Sequence, residues 1–363
     1  MVMSERHPSD REIRVKFLGK YKPGHDGEGW LRMFPDNEPV WGNCRFIFDR
    51  HCRDYDWLVV YDDLPSLAGE RHPLWEERLA CPSTHTLLIT SEPSSIKAYG
   101  SSYLRQFHWL LTSSPAWGTA WHPGRIHQQP ALIWFYADSS PRGDYNHIRT
   151  HVPLQKTRLI STVCSSKRHG RTLHARRHAF TWELKRLIPE LEIYGHGVRP
   201  LADKADALDP YKYHVAVENY AGPHHWTEKL ADAFLGACMP IYHGCPNVAD
   251  YFPPESFITI DVWDTEAAAE TIRKAIRDRA WEKNLDAILE SRRRVLEEYG
   301  TIATICRIVN EHHTPASGAG QPPRVIASRR RLHRHPVRGL AYLLEKGYVR
   351  ARHLLTDKYL RNR

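Results

Sequence analysis

Between residues 158 and 260 the chain alternates apolar runs of strand length with helical patterns, and this alternation constrains the fold more than any other feature. Strands are expected at 158–163, 191–194, 214–217, 240–242 and 257–260, with helices at 175–187, 227–238 and 265–279. Short runs that are apolar throughout suit strands buried on both faces, and helices between them join such strands in parallel. The same grammar, with connections rich in Pro and Gly, places strands at 13–18, 45–48, 57–61, 86–90, 109–112 and 132–136. The expected class is therefore α/β, in two domains whose boundary falls between Tyr145 and Lys156. The domains are drawn as 1–150 and 151–313, followed by a linker at 314–323 (TPASGAGQPP) and a tail at 324–363.

A chain of 363 residues is long enough for two cores without disulfide staples. Its seven cysteines are odd in number, widely spread and without a Cys-x-x-Cys pair, a pattern that fits neither a disulfide framework nor a zinc site and suits a reducing cytoplasm. No apolar run approaches the ~20 residues of a spanning helix. No charged-then-apolar leader opens the sequence, so a cytoplasmic location is expected.

The formal charge of +9 is localised. Residues 324–363 hold twelve Lys or Arg against two carboxylates, a net of +10, so the other 323 residues sum to −1. That distribution argues for an acidic surface met by the tail alone and against a nucleic-acid groove through the fold. Within the tail Leu340, Leu344, Tyr348, Ala351, Leu355 and Tyr359 recur at steps of three and four, with Arg338, Lys346, Arg350, Arg352 and Lys358 on the remaining face. Two readings stand: an interfacial helix on an anionic membrane, or a surface helix that packs its apolar stripe on the body.

The stretch 211–261 (YKYHVAVENYAGPHHWTEKLADAFLGACMPIYHGCPNVADYFPPESFITID) carries the chemistry. A buried strand ends in Glu218 and Asn219, at the carboxyl edge of a parallel sheet, where open α/β folds bind ligands. Thr227 can cap a helix whose first turn holds Glu228 and Lys229 and whose buried face is Leu230, Ala233, Phe234 and Ala237. A helix N-terminus with a lysine suits a diphosphate, and a carboxylate such as Glu228 can hold a ribose diol. Gly236 and Pro240 allow a tight turn, and Gly244 allows close approach of backbone to whatever the loop binds.

Taken together, this stretch resembles the donor-binding motif of family 10 glycosyltransferases, the α1,3/α1,4-fucosyltransferases. The matching pieces are Tyr211-Lys212-Tyr213, Glu218-Asn219, Thr227-Glu228-Lys229, Pro240-Ile241, Gly244-Cys245-Pro246 and Ser256-Phe257-Ile258, in that order. Weaker similarity runs through 159–167, 177–184 and 191–197. Residues 156–177 hold seven cations and no carboxylate, among them Lys167, Arg168, Arg171, Arg176 and Arg177. Of these, Arg177 is similar in position to the family's phosphate-contacting arginine. The tyrosine of the family's donor site is replaced by His225 here.

The resemblance implies a GT-B fold, two Rossmann-like domains facing a cleft, with the acceptor on the first domain and GDP-fucose on the second. It implies inversion, with Arg177 and Lys229 stabilising the diphosphate, Glu228 holding ribose or fucose, and Glu218 with Asn219 shaping the donor pocket beside His225 and Thr227. The expected base is Glu92, just after an apolar strand in TLLITSEPS; Asp62 and Asp63 are the alternatives. No metal is expected. Asp54-Tyr55-Asp56 precedes a strand, and His224-His225 and His312-His313 lack partners at ligand spacing. Gly19, Gly24, Gly27 and Gly29 fit no dinucleotide or P-loop fingerprint and suit acceptor contact.

The function expected is an inverting fucosyltransferase, peripheral on the inner face of the cytoplasmic membrane, acting on a lipopolysaccharide or O-antigen type glycan without a cofactor and without nucleic acid as partner. The alternatives are the same scaffold with another nucleotide sugar, and a non-catalytic sugar-nucleotide or glycan-binding protein.

Overall fold

The computed structural model describes residues 11–20, 27–67, 69–164, 173–314 and 324–361, with the side chains of Glu28, His174 and 357–361 left out. Gly24, Lys167, Arg168 and Arg171, the side chains of Lys358 and Tyr359, and the expected linker after Thr314 lie outside what is described. The chain forms two compact units, one of residues 1–131 with 302–363 and one of 132–301.

In the first unit the strands are β1 (Ile13–Gly19), β2 (Val40–Trp41), β3 (Cys44–Ile47), β4 (Trp57–Tyr61), β5 (Glu76–Arg78), β6 (Thr86–Ile89), β7 (Trp109–Thr112) and β8 (Arg125–His127). Seven of them form a sheet in the order β2-β3-β1-β4-β6-β7-β8, parallel throughout except for the short β2–β3 pair. Trp57, Leu58, Val59 and Val60 are all fully buried, as expected of a central strand covered on both faces. The second unit holds β9 (Arg158–Val163), β10 (Glu192–Tyr194), β11 (Tyr211–Val217), β12 (Met239–His243) and β13 (Ile258–Thr259), all parallel in the order β10-β9-β11-β12-β13. Its helices run Glu228–Leu235, Thr265–Arg277 and Leu285–Glu297, with His174–Leu187 between β9 and β10. Counted by their parallel strands, both sheets begin in the order 2-1-3-4-5, the doubly wound arrangement in which the switch point lies between the first and third strands.

The expected α/β class stands, and most expected strands fall within two residues of their bounds, while β2, β5, β8 and a short strand at Val325–Ala327 were not expected. Residues 132–136 are the exception. They form no strand; the amides of Phe135 and Tyr136 instead donate to the Asp232 carboxylate at 2.9 and 3.1 Å. The Tyr145–Thr150 helix is tied to the same unit, its Ile148 carbonyl accepting from Arg292. Residues 132–150 thus move from the first domain to the second, because buried polar bonds attach them there.

The expected tail is likewise no appendage. The last strand, β14 (Val325–Ala327), pairs antiparallel with β5, and Ile326, Ala327 and Leu332 join the core built on Leu58, Val60, Leu88 and Leu110. The Pro336–Arg361 helix docks through Tyr342, Glu345, Val349 and His353, with His353 Nε2 and Ser94 Oγ 2.9 Å apart and the Ser101 amide donating to Glu345 at 2.6 Å. Its apolar stripe faces away: Leu340, Leu343, Leu344, Leu354 and Leu355 are each more than 60% exposed. The packing reading of the sequence therefore has the right helix and the wrong face.

One ion pair holds the tail strand's partner in place. Lys16 on β1 and Glu77 on β5 are fully buried 2.9 Å apart, and the Tyr55 hydroxyl donates to the same Glu77 oxygen at 3.1 Å. Replacing one member of such a pair leaves the other charge buried without its partner. Glu77→Ala is expected to lower the stability of the first unit by about 3–5 kcal/mol, read as a shifted urea midpoint.

Candidate active site

Unit two's switch point lies between β9 and β11, and the expected donor residues gather at its carboxyl edge. Arg177 stands in the first turn of the His174–Leu187 helix, which leaves β9, while Glu218 and Asn219 end β11. The Arg177 guanidinium donates to Asn219 Oδ1 at 2.9 Å, and the Leu173 amide donates to the Asn219 carbonyl at 3.3 Å. Arg177 is only 8% exposed, yet its buried Nε meets no protein acceptor. A buried donor left open on a charged group marks a place where a ligand, ion or water would bind.

Glu218 is fully buried and acts on the neighbouring loop. One carboxylate oxygen accepts from the Thr227 amide at 2.8 Å and the other from the Thr227 hydroxyl at 2.6 Å. Thr227 in turn caps the Glu228–Leu235 helix, its Oγ1 accepting from the Lys229 amide at 3.4 Å. The strand end, the eight intervening residues and the helix start are thereby one unit of hydrogen bonding. Gly244 completes it, since a Cβ there would come within 2.4 Å of Glu218 Cγ and 2.6 Å of the Tyr242 hydroxyl. The close approach expected at Gly244 is thus to Glu218 and Tyr242. The tight turn after the helix likewise rests on Ala237, at φ 49°, whereas Gly236 is needed because a Cβ would meet Leu208 at 2.6 Å.

Lys229 is an embedded cation. Its ammonium lies 2.8 Å from Glu228 and 3.6 Å from Glu218. Burial raises the Glu218 carboxyl above its ordinary range, with Lys229 opposing the rise. Burial would also raise Glu228, but Lys229 and Lys204 outweigh it and bring it to about 2. Burial pushes Lys229 down while Glu218 and Glu228 pull it up, and the net is a raised value. His225 is 4% exposed against the Tyr220 ring, and burial together with Lys229 lowers it to about 4, so the imidazole is neutral at physiological pH.

Lys204 and Asp232 are the residues that sequence reasoning missed. Asp232, one helical turn after Glu228, is buried and salt-bridged to Lys204 while it holds residues 135 and 136. A carboxylate amid Leu230, Ala231, Ala233 and Phe234 was a visible anomaly; its lysine, 28 residues upstream, had no sequence signal.

Glu92 belongs to the first unit, in the loop after β6 at the sheet's carboxyl edge, and its side chain is exposed. The alternatives are engaged. Asp62 accepts from the Tyr99 hydroxyl at 2.6 Å, the Ser91 hydroxyl at 3.0 Å and Lys97; Asp63 accepts from the amides of Leu64 and Arg329 at 2.9 and 3.1 Å. Asp54 and Asp56 are both held by Arg14. Among the described residues no group of three or more His, Cys, Asp or Glu could hold a metal ion. All seven cysteines are free thiols.

Residues 153–315 match the family model described as glycosyltransferase family 10 (fucosyltransferase), C-terminal part. That part of the chain, just under half of it, is similar to family 10. That segment contains the whole of the ordered motif and the weaker pieces upstream of it. Among curated relatives, an α-(1,3)-fucosyltransferase of Helicobacter pylori is 40% identical over 58 residues, which is 16% of this chain and 12% of that protein. An α-(1,4)-fucosyltransferase of Arabidopsis thaliana is 44% identical over 52 residues, 14% of this chain and 13% of the relative. The matches thus span about an eighth of each relative's length. A solved α1,3-fucosyltransferase is similar at TM-score 0.45 and 15% identity, over 83% of this chain and 95% of that one.

The neutral state of His225 has a consequence for stability. Its folded value of about 4 lies below the ordinary 6.5, so the unfolded chain binds the extra proton first as pH falls. His225 therefore contributes stability that is fully present above pH 6.5 and is lost as pH falls towards 4. Urea midpoints measured across that window are expected to depend less on pH in His225→Phe than in the wild type.

Proposed function

We propose that the protein is an inverting fucosyltransferase that moves L-fucose from GDP-fucose to a glycan hydroxyl, in α1,3 linkage, on an acceptor of lipopolysaccharide or O-antigen type. The observation that carries the reading is Arg177, nine-tenths buried at the switch point of the segment similar to family 10, with a guanidinium nitrogen open to a ligand. The reading treats the two units as a GT-B pair, with the acceptor on the first and the donor on the second.

The chemistry is a direct displacement. Glu92 takes the proton of the acceptor hydroxyl as that oxygen bonds to the anomeric carbon, and the bond from that carbon to the diphosphate breaks with its electron pair leaving on GDP. Arg177 and the amide end of the Glu228–Leu235 helix stabilise the departing charge, and Lys229 keeps that helix start compensated. Glu228, ionised far below neutrality, accepts hydrogen bonds from a ribose or fucose diol. Asn219 orients Arg177, Glu218 and Thr227 fix the loop between them, and His225 closes it as a neutral ring. No metal enters this scheme.

The exposed stripe of the Pro336–Arg361 helix supports a second part of the reading: peripheral attachment to the inner face of the cytoplasmic membrane. Arg338, Arg350 and Arg352 on the same helix are exposed and suit anionic headgroups, each contributing about 1 kcal/mol near such a surface. No helix among the described residues is long and apolar enough to cross a membrane.

GDP release measured in EDTA with a panel of glycan acceptors tests the reaction. GDP-fucose is expected to be used in preference to GDP-mannose and UDP-sugars, with kcat reduced about 10²–10⁴-fold in Glu92→Gln and about 10²–10³-fold in Arg177→Ala. Turnover of another nucleotide sugar instead would retain the scaffold and remove the fucose assignment. For the membrane, Leu344→Glu with Leu355→Glu is expected to abolish co-flotation with phosphatidylglycerol vesicles and to leave the urea midpoint unchanged, since both residues are about two-thirds exposed.

A further inference from the structure

Trp121 is placed at a double cost. Its side chain is 63% exposed, and it follows Ala120 in the left-handed backbone region, the two residues having φ 49° and 52°. Two consecutive non-glycine residues in that region are uncommon, and a bulky aromatic there is a conformational outlier. Neither burial nor backbone preference accounts for a tryptophan held this way. Such outliers gather where a ligand is bound.

Beside Trp121 is a cavity of about 240 Å³ within the first unit, between the Ser101–Leu104 helix, the loop after β7 and the tail helix. Trp117, Trp121 and Tyr348 supply aromatic faces, and Ser101, Arg105 and Glu345 supply polar atoms. The wall is braced. The His353 ring meets Trp117 edge-on at 4.6 Å, the Arg352 guanidinium lies 5.3 Å from the Trp117 ring, and Glu345 is fixed by the Ser101 amide and hydroxyl.

Apolar ring faces interleaved with a carboxylate, a hydroxyl and a guanidinium match a sugar ring, which has C–H faces and a hydroxylated rim. An acyl chain would make no use of the polar rim formed by Ser101, Arg105 and Glu345, and a nucleotide phosphate would meet the Glu345 carboxylate. The volume is just under the roughly 300–1,000 Å³ of drug-sized sites, which suits one monosaccharide unit. Nor is the cavity the place of the reaction, since Glu92 is not among its lining residues; Tyr99 links them, lining the cavity while its hydroxyl accepts from the Glu92 amide at 3.4 Å.

We propose that this cavity is an auxiliary saccharide subsite that holds a sugar unit of an extended glycan away from the reacting hydroxyl, with Trp121 as its stacking platform. The proposal rests on the glycan-acceptor reading above and deepens it: the acceptor is an oligosaccharide, held by the tail helix as well as by the body.

Saturation-transfer NMR on the full chain, with lacto-N-neotetraose and chitotetraose as probes, tests it without any donor. Saturation of sugar-ring protons is expected for the wild type with at least one probe. Affinity is expected to fall about tenfold in Trp121→Ala and to be partly restored in Trp121→Phe, because the interaction is through the ring face. An unchanged urea midpoint in both variants shows that the fold is retained. No saturation with either probe, or equal affinity in Trp121→Ala, would overturn the proposal. So would unchanged sugar binding accompanied by loss of co-flotation with phosphatidylglycerol vesicles, which would make Trp121 a membrane anchor. Because the readout needs no GDP-fucose, failure of the transferase to turn over any donor would sink the reaction assignment while leaving this test intact.

Discussion

The candidate donor site depends on one buried carboxylate. Glu218 has no contact with solvent, and both its oxygens are used by Thr227, one for the amide and one for the hydroxyl. This fixes the helix start that an anion would meet, and it fixes how far the 219–226 loop departs from the sheet. A buried charge of this kind is tolerable only when paired and hydrogen-bonded, and Lys229 supplies the pairing. The lysine that sequence reasoning reserved for the diphosphate thus also neutralises its own scaffold, while Arg177 keeps a donor open. The two cations thus differ in how the protein compensates them: Lys229 is paired by Glu218 and Glu228, whereas Arg177 keeps a buried Nε without a protein acceptor.

The same economy of buried charge organises the first unit. Lys16 and Glu77 meet in its core with the Tyr55 hydroxyl on the same oxygen, and the strand carrying Glu77 is the one that the C-terminal segment pairs with. Through β14 and Leu332 the basic segment becomes part of the core, and the long helix after it is set at a fixed rotation by His353, Glu345 and Tyr342. That rotation puts five leucines outward, whereas a helix packing for stability alone would turn them in.

Much was legible in the sequence. Most strands of both sheets, the Thr227 cap and the order of the motif in 211–261 all depend on local periodicity and on residue types with narrow roles, which a sequence displays directly. What was misread depended on long-range polar bonds. Residues 132–136 look like a strand by composition, yet their amides go to a side chain almost a hundred residues away. Gly244 was marked for its lack of a side chain, correctly, but the group that needs the space is Glu218.

The sequence by itself determined the α/β class, the position of the family 10 motif and the concentration of positive charge at the C-terminal end, because each follows from residue type and spacing along a single segment. Tertiary structure alone decided which unit owns residues 132–150 and 302–363, which face of the last helix is covered, and that Arg177 retains an open donor while Lys229 does not. These are outcomes of competition among buried polar groups for a limited set of partners, and such partners are neighbours in space whose separation along the chain carries no signal.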